Sequence, residues 1–190
     1  MLSVVIATHE SERELVRTLA ALVPGATNGL VREVIVTDGG SADGTIQAAD
    51  FAGCRVFASK DRLGPRLRQA AAAARAAWLL FLRPGTVLDV TWIDEAASFI
   101  GNDPAGAGLR AAVFRPRPGS EIHRPLLVEA VSLLFLALGR RARPRQGLLI
   151  SKSLYQSLGG HRDDADPESD LLRRLGRRIV MLRSGAGASE

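Results

Sequence analysis

Glu33-Val-Ile-Val-Thr-Asp-Gly-Gly-Ser-Ala-Asp-Gly-Thr45 is the stretch of this chain that decides its fold. Its β-branched residues predict a buried strand over 31–37, and the acidic, glycine-rich segment after them predicts a turn that leads into a helix ending near Ala52. The two adjacent glycines permit positive φ and a close approach of the backbone to a ligand. Ser41 or Asp43 can cap the helix, and these polar residues are equally explained as the parts of an ordinary turn between a strand and a helix.

Similar units lie on both sides of this stretch. Leu2–Ala7 is a short apolar run that predicts a first strand. Ser11 and Glu14 match a capping box that begins a helix over 12–23, which Pro24 and Gly25 are expected to end. The remaining predicted elements, in chain order, are strands over 54–58, 78–82, 108–114, 147–151 and 178–182, and helices over 64–77, 91–100, 126–138, 152–158 and 168–175.

The alternation of strands and helices predicts the fold class. The strands read as continuous apolar runs, which is typical of a mainly parallel central sheet with helices on both faces, an α/β fold. Ligands of such sheets bind beyond the carboxyl ends of the strands. The loops at 7–11, 38–44 and 83–86 are therefore expected to form one crevice. We predict a single domain over 1–183 and a mobile tail of small residues over 184–190.

Composition and charge narrow the class of partner. The chain has 190 residues, of which 46% are hydrophobic and 24% charged, as in a globular protein. The net charge of +5 rests almost wholly on arginine and suggests an anionic ligand. Nucleic acid is disfavoured, because no aromatic platform or recognition motif accompanies the charge. The lone Cys54 excludes an internal disulfide and a cysteine zinc cluster and indicates an intracellular, cytoplasmic location.

Taken in order, these segments resemble the family 2 glycosyltransferases of the GT-A fold, and above all their short, single-domain bacterial members. The 33–45 stretch is the most specific part of the resemblance, and its order among weaker segments adds weight. The matching segments are Ser3–Glu10, Glu33–Thr45, Gly64–Phe81, Gln146–Ile150, Leu158–Arg162 and Glu168–Leu175.

The resemblance implies a function. Such a protein would bind a nucleotide-diphospho-sugar, with UDP as the expected nucleotide, in a half formed by about 1–90. It would transfer the sugar, with inversion, to an unidentified glycan, lipid-linked or small-molecule acceptor held by about 91–183. The donor-binding residues that the resemblance implies are Ala7, Thr8, Glu10, Asp38, Ser41, Asp43 and Arg66. Asp38 is the residue expected to contact the uracil base.

The chain departs from the family where a metal is expected. The family usually holds Mg²⁺ or Mn²⁺ through an Asp-x-Asp after the fourth strand, and this chain has Arg83-Pro84-Gly85 there. A Gly-Asp pair of the family is likewise replaced by Pro144-Arg145. Three interpretations remain open: Arg83 and Arg145 supply the missing positive charge, the protein is an inactive nucleotide-binding or scaffold module, or the metal is held elsewhere. Asp89 is a candidate for a displaced metal site, and a loop or capping role suits it better.

The catalytic base is expected near 166–170. Inverting transfer needs a carboxylate to accept the proton of the acceptor hydroxyl, and the family places an acidic pair at the start of a late helix. Glu168 is the first candidate here, followed by Asp170 and then Asp166. Acids at a helix N-terminus also act as ordinary capping residues.

The apolar segment over 126–138, with arginines on its C-terminal side, has two interpretations. It could cover the sheet as a buried helix, or it could lie on an anionic membrane as an interfacial helix. The second interpretation predicts peripheral contact with the inner face of the cytoplasmic membrane.

Overall fold

The computed structural model describes residues 1–102, 109–116 and 144–188 of the chain. The strands are β1 Leu2–Thr8, β2 Val31–Asp38, β3 Arg55–Ala58, β4 Trp78–Leu82, β5 Thr86–Leu88, β6 Ala111–Pro116, β7 Leu148–Ser151 and β8 Ile179–Ala188. The helices are α1 Glu12–Thr27, α2 Thr45–Phe51, α3 Leu63–Ala73, α4 Trp92–Gly101, α5 Lys152–Ser157 and α6 Pro167–Leu175. The segment 126–138 lies outside the described residues, so its two interpretations stay predictions. Within the described residues, no helix is long and apolar enough to cross a membrane.

One mixed sheet organises these elements. Its strand order is β3-β2-β1-β4-β7-β6-β8-β5. The strands β3, β2, β1 and β4 run parallel to one another, whereas β7 is antiparallel to both β4 and β6. Apolar side chains from the two faces of the sheet enter two separate cores, as expected when helices cover both faces. The predicted α/β class is confirmed.

The register of the parallel strands places the predicted loops together. Thr8 at the end of β1 lies beside Asp38 at the end of β2, and Ile6 lies beside Leu82 at the end of β4. Each of these three strands is followed by one of the loops that the sequence singled out. The three loops therefore leave the same end of the sheet, where the sequence predicts a crevice.

Helix α1 runs past the point where the sequence predicted its end. It continues through Pro24 and Gly25 to Thr27, and its C-cap N–H, from Asn28, donates to the Pro24 carbonyl oxygen at 3.0 Å. Gly25 is buried because the ring of Trp92 on α4 packs against it: a Cβ at this position would lie 2.5 Å from Trp92 Cζ2. The glycine thus serves helix packing and does not end the helix.

The capping box predicted at Ser11 is wrong. Ser11 precedes α1, but its hydroxyl donates to the carbonyl oxygen of His9 at 2.7 Å and makes no cap bond to the helix. The first N–H of the helix, from Glu12, instead donates to a carboxylate oxygen of Asp43 at 3.2 Å. A residue from the next loop therefore caps the helix in place of the local serine.

The last strand runs past Leu182, where the sequence predicted its end, into the segment expected to be a mobile tail. Strand β8 extends to Ala188 and pairs with both β6 and β5. Ser184 is buried, and both its backbone N–H and its hydroxyl donate to Glu95 Oε2, at 2.8 and 2.7 Å. Small residues with little strand propensity are held here by pairing on both sides, which a local pattern does not reveal.

Gly25→Ala tests the contact between α1 and α4. The added methyl would overlap the Trp92 ring, so we expect a loss of about 1–3 kcal/mol in the free energy of unfolding by urea. Gly101→Ala is the matched control, because a Cβ at Gly101 would meet nothing within 4 Å. Equal stability of the two variants would contradict this account of Gly25.

Candidate active site

Asp38, the last residue of β2, organises the turn that follows this strand. Its carboxylate is fully buried and accepts four hydrogen bonds: from Thr8 Oγ1 at 2.9 Å, Ser41 Oγ at 2.6 Å, and the N–H groups of Gly40 and Ser41 at 2.8 and 2.7 Å. Burial alone would raise the pKa of Asp38, but these hydrogen bonds outweigh it and hold the pKa below its usual range. The contact of Asp38 with the uracil base stays a prediction. Such a contact would require Asp38 to give up one of these four hydrogen bonds.

Glu10 joins the loop after β1 to the loop after β2. Its N–H donates to Ser41 Oγ at 2.8 Å, and its Oε1 accepts from the N–H of Ala42 at 2.6 Å. Glu10 has φ of 48°, in the left-handed region that non-glycine residues seldom adopt. Such strained backbone is common where loops are shaped for ligands, and here it turns the β1 loop toward the crevice.

Asp43 connects two helix N-termini. One carboxylate oxygen accepts from the N–H of Glu12 on α1, and the other accepts from the N–H and hydroxyl of Thr45 on α2 at 3.0 and 2.5 Å. The hydroxyl bond from Thr45 is the main reason that the pKa of Asp43 lies below its usual range. Asp43 therefore has the capping role that the sequence allowed. Its bonds to Glu12 and Thr45 hold the loop after β2 against the start of α1.

Arg66 closes the gap between the ends of β1 and β2. Its Nη1 donates to the carbonyl oxygens of Thr8 and Thr37 at 3.2 and 2.8 Å, and only 8% of the residue is exposed. Its guanidinium lies against Gly39, where a Cβ would be 3.3 Å away. Burial lowers the pKa of Arg66, but a guanidinium stays protonated in proteins.

The Nε of Arg66 has no hydrogen-bond partner among the described residues although it is buried. An unpaired buried donor on a cation is unfavourable unless an anion or water completes it. The arrangement therefore suits an anionic ligand at the carboxyl ends of β1 and β2.

The segment after β4 is a tight turn. The N–H of Thr86 donates to the carbonyl oxygen of Arg83 at 3.1 Å, and Gly85 has φ of 83°. Proline followed by a glycine of positive φ is the pattern of a type II turn. The N–H of Gly85 also donates to the carbonyl oxygen of Glu14 at 3.0 Å, which fixes the turn on α1.

An ion pair joins this turn to the start of α6. Arg83 donates to Oε2 of Glu168 through Nε at 2.8 Å and also through Nη2, although 85 residues separate the two in sequence. The pair raises the pKa of Arg83. The arginine that stands at the expected metal position and the acid expected to be the base are thus in direct contact.

The other two acids near the start of α6 have local roles. The Asp166 carboxylate accepts from the N–H of Ser169 at 3.1 Å and caps the helix. Asp170 is buried and accepts from Arg173 Nη2 at 2.7 Å and Arg174 Nε at 2.8 Å. The candidate role of Asp170 as a base stays a prediction, which these ion pairs disfavour.

A cavity beside Glu168 contains a histidine that the sequence analysis did not select. Phe81, His161, Glu168 and Leu172 are among the residues that line this small, partly open cavity. His161 is 1% exposed, and its Nδ1 lies 2.9 Å from the hydroxyl of Tyr155. The sequence signal that could have identified His161 is its position directly after Gly159 and Gly160 and shortly before the acidic start of α6.

Other predicted site residues lie as follows. Ala7 is half-buried in β1, next to Thr8. Asp89 accepts from the N–H groups of Thr91 and Gly185 at 3.0 and 2.5 Å, which favours a role in fixing the loop before α4 over a displaced metal site. Arg145 falls in a short 3-10 turn, Pro144–Gln146, and its side chain is outside the described part of the chain.

The described residues do not fit a divalent metal of the expected kind. A guanidinium, a proline ring and a glycine offer no oxygen ligand, which Mg²⁺ and Mn²⁺ need. Over 1–102, 109–116 and 144–188, no three His, Cys, Asp or Glu side chains are grouped so that they could hold an ion.

Residues 3–152 of the chain match the family model described as glycosyl transferase family 2. No curated protein matches the chain.

Solved structures share the fold. The chain aligns over 100% of its length with 72% of glucosyl-3-phosphoglycerate synthase from Mycobacterium tuberculosis in complex with Mn²⁺, UDP and glucosyl-3-phosphoglycerate, at 23% identity and a TM-score of 0.64. It aligns over 99% of its length with 60% of S. aureus TarS 1–349, at 16% identity and a TM-score of 0.72. A structure described as a mycobacterial protein aligns at 24% identity and a TM-score of 0.65, covering 100% of this chain and 67% of the other. The predicted GT-A fold is confirmed.

His161 should make stability depend on pH. Burial lowers the pKa of His161 to about 3, whereas an unfolded histidine titrates near 6.5. Below pH 6.5 the unfolded chain therefore binds a proton that the folded protein does not, and stability falls with pH down to about 3. Between pH 7.5 and 5.5 we expect this group to remove about 1 kcal/mol from the free energy of unfolding by urea.

His161→Phe should abolish that part of the pH dependence while retaining an aromatic ring beside Phe81. The same change at the exposed His9 is the control and should leave the dependence as in the wild type. An unchanged pH dependence in His161→Phe would show that His161 is not held neutral by burial.

Proposed function

The chain belongs to glycosyl transferase family 2, and from that premise we propose that it transfers a sugar, with inversion, from a UDP-sugar to an acceptor hydroxyl. The proposal extends to transfer without a bound metal. The observation that carries it is the contact between Arg83 and Glu168 at the mouth of the crevice, because it brings a cation for the leaving group next to a base for the acceptor. A solved structure of the same fold contains UDP and a glucosylated product, which supports the class of donor.

The nucleoside would lie over the loops after β1 and β2. Asp38, through its hydrogen bonds to Thr8 and Ser41, fixes these loops, and Glu10 and Asp43 tie them to each other and to α1. A preorganised loop loses little conformational entropy when a ligand binds.

The diphosphate would lie between arginines. Arg66 has a buried Nε without a described partner, and Arg83 stands at the turn after β4. Guanidinium groups bind phosphate oxygens through two parallel N–H bonds and keep their charge. Arg145 is proposed as a third ligand from its place in the sequence.

The chemical step is a single displacement. The acceptor oxygen forms a bond to the anomeric carbon while the bond from that carbon to the diphosphate oxygen breaks. The proton of the acceptor hydroxyl passes to Glu168, and the nucleoside diphosphate leaves with the electron pair of the broken bond. The arginines stabilise the negative charge that develops on the departing diphosphate.

A binding module without turnover is the second candidate. The same ion pair favours it, because Oε2 of Glu168 is already occupied by two donors from Arg83. Such a protein would bind UDP and release none from a UDP-sugar.

Calorimetric titration with UDP-glucose tests the donor site. We expect binding in Mn²⁺ buffer to persist in EDTA, because arginines supply the positive charge, and to weaken about tenfold or more in Arg83→Ala, a charge-assisted bond being worth about 1.5–3 kcal/mol. Arg32→Ala removes the same charge from an exposed position at the opposite ends of the strands and should bind as the wild type does. Binding that disappears in EDTA would refute metal independence.

Donor hydrolysis tests the base without knowledge of the acceptor. With water in place of the acceptor, Glu168→Gln should lower the rate of UDP release from UDP-glucose by about 10²–10⁴-fold, the usual contribution of a general base. Asp170→Asn should act mainly on stability, lowering the free energy of unfolding by about 1–3 kcal/mol, because it weakens the bonds to Arg173 and Arg174. Binding without UDP release in the wild type would favour the second candidate.

A further inference from the structure

We propose that Arg83 exchanges its partner during the reaction: it holds Glu168 in the free protein and the donor diphosphate in the complex. Donor binding would then release Glu168 to accept a proton, so that the donor must bind before the acceptor reacts. This inference rests on the proposed function and assigns an order to its steps.

The carboxylate of Glu168 and the donor diphosphate would compete for the guanidinium of Arg83. Arg83 directs both Nε and Nη2 at the single oxygen Oε2 of Glu168. A diphosphate oxygen pair also requires two parallel N–H groups from one guanidinium. Glu168, the carboxylate proposed to accept the proton of the acceptor hydroxyl, is thus also the group that holds Arg83 in the free protein. Carboxylate and diphosphate therefore compete for Arg83, and the more highly charged anion is expected to displace the other.

Exposure makes the exchange feasible. The Arg83 side chain is 40% exposed and that of Glu168 is 16% exposed, so water reaches the pair and no core contact has to open. Ion pairs that water reaches are weak compared with buried ones. A ligand of higher charge can therefore break this pair at small cost.

The backbone on both sides is anchored, so the exchange is a rotation of side chains. Gly85 and Thr86 hold the turn through their bonds to Glu14 and Arg83. On the other side, Asp166 caps α6 two residues before Glu168. Neither segment has to move for Arg83 to swing from one anion to the other.

UDP affinity provides a test that does not require the acceptor or turnover. Calorimetry would measure the dissociation constant of UDP in EDTA for wild type, Glu168→Gln, Arg83→Ala and the double variant. Glu168→Gln removes the competitor for Arg83, and we expect it to bind UDP about two- to fivefold more tightly than wild type, the range of an exposed ion pair. In the Arg83→Ala background the same change should have no such effect.

The alternative cause, direct repulsion between Glu168 and the diphosphate, gives the opposite pattern. Without Arg83 the carboxylate would be unscreened, so Glu168→Gln would strengthen binding more in the Arg83→Ala background than in wild type. That result, or equal gains in both backgrounds, would overturn the exchange. Asp163→Asn is the charge control: Asp163 is exposed, pairs with Arg62 at 3.2 Å and lies five positions before Glu168, so its removal should leave UDP affinity unchanged.

The outcomes separate the two proposals. UDP binding with the wrong pattern in the four proteins refutes the exchange and leaves the proposed function standing. Absence of UDP binding in all four, in Mn²⁺ buffer as well as in EDTA, refutes the proposed function and the exchange with it. Arg83→Gln repeats the comparison with more of the side-chain volume retained, in case Arg83→Ala disturbs folding.

Discussion

The site depends on one buried carboxylate. Asp38 ends β2 and accepts hydrogen bonds from the strand beside it and from its own turn, through Thr8, Gly40 and Ser41. Without these bonds, a charge buried at the end of a central strand would be unfavourable by several kcal/mol. With them, the carboxylate fixes two loops at once, because Ser41 in turn accepts from the N–H of Glu10. The position of the crevice and the entry of α1 and α2 follow from this network.

Sequence patterns predicted the elements whose cause is local. The strands over 31–37 and 78–82 and the turn between 38 and 45 were recoverable because β-branched runs and glycine-rich turns have few other solutions. The errors concern residues whose partners are distant in sequence. The helix that Ser11 was expected to cap is capped by Asp43, and β8 continues to Ala188 because β5 and β6 pair with it. A helix passes through Pro24, and the neighbouring Gly25 packs on Trp92, which is distant in sequence.

The candidate site also combines features that the sequence predicts with features that depend on contacts between distant residues. That Arg83 and Glu168 were chemically unusual was visible in the sequence, since one replaces an expected acid and the other opens an acidic helix. That they touch was not visible, because their contact spans 85 positions and depends on how β4 and α6 meet. The Asp38 carboxylate shows the reverse case: its place was predicted correctly, but the number of bonds it already accepts follows only from the folded turn.

The proposed replacement of a metal by arginine would also change what the site must do without a ligand. A divalent ion enters with its substrate or from solvent, whereas a guanidinium is always present and always charged. A permanent cation at the mouth of a crevice needs an anion nearby, and the nearest described anion is the acid best placed to act as base. Within the described part of the chain, Arg66 does not pair with a carboxylate, because its guanidinium donates to the carbonyl oxygens of Thr8 and Thr37. Its buried Nε–H has no partner among the described residues. In the proposed mechanism the two arginines therefore differ: Arg66 is held by the neutral acceptors Thr8 and Thr37, whereas Arg83 is held by the carboxylate of Glu168, which it would release when the diphosphate binds.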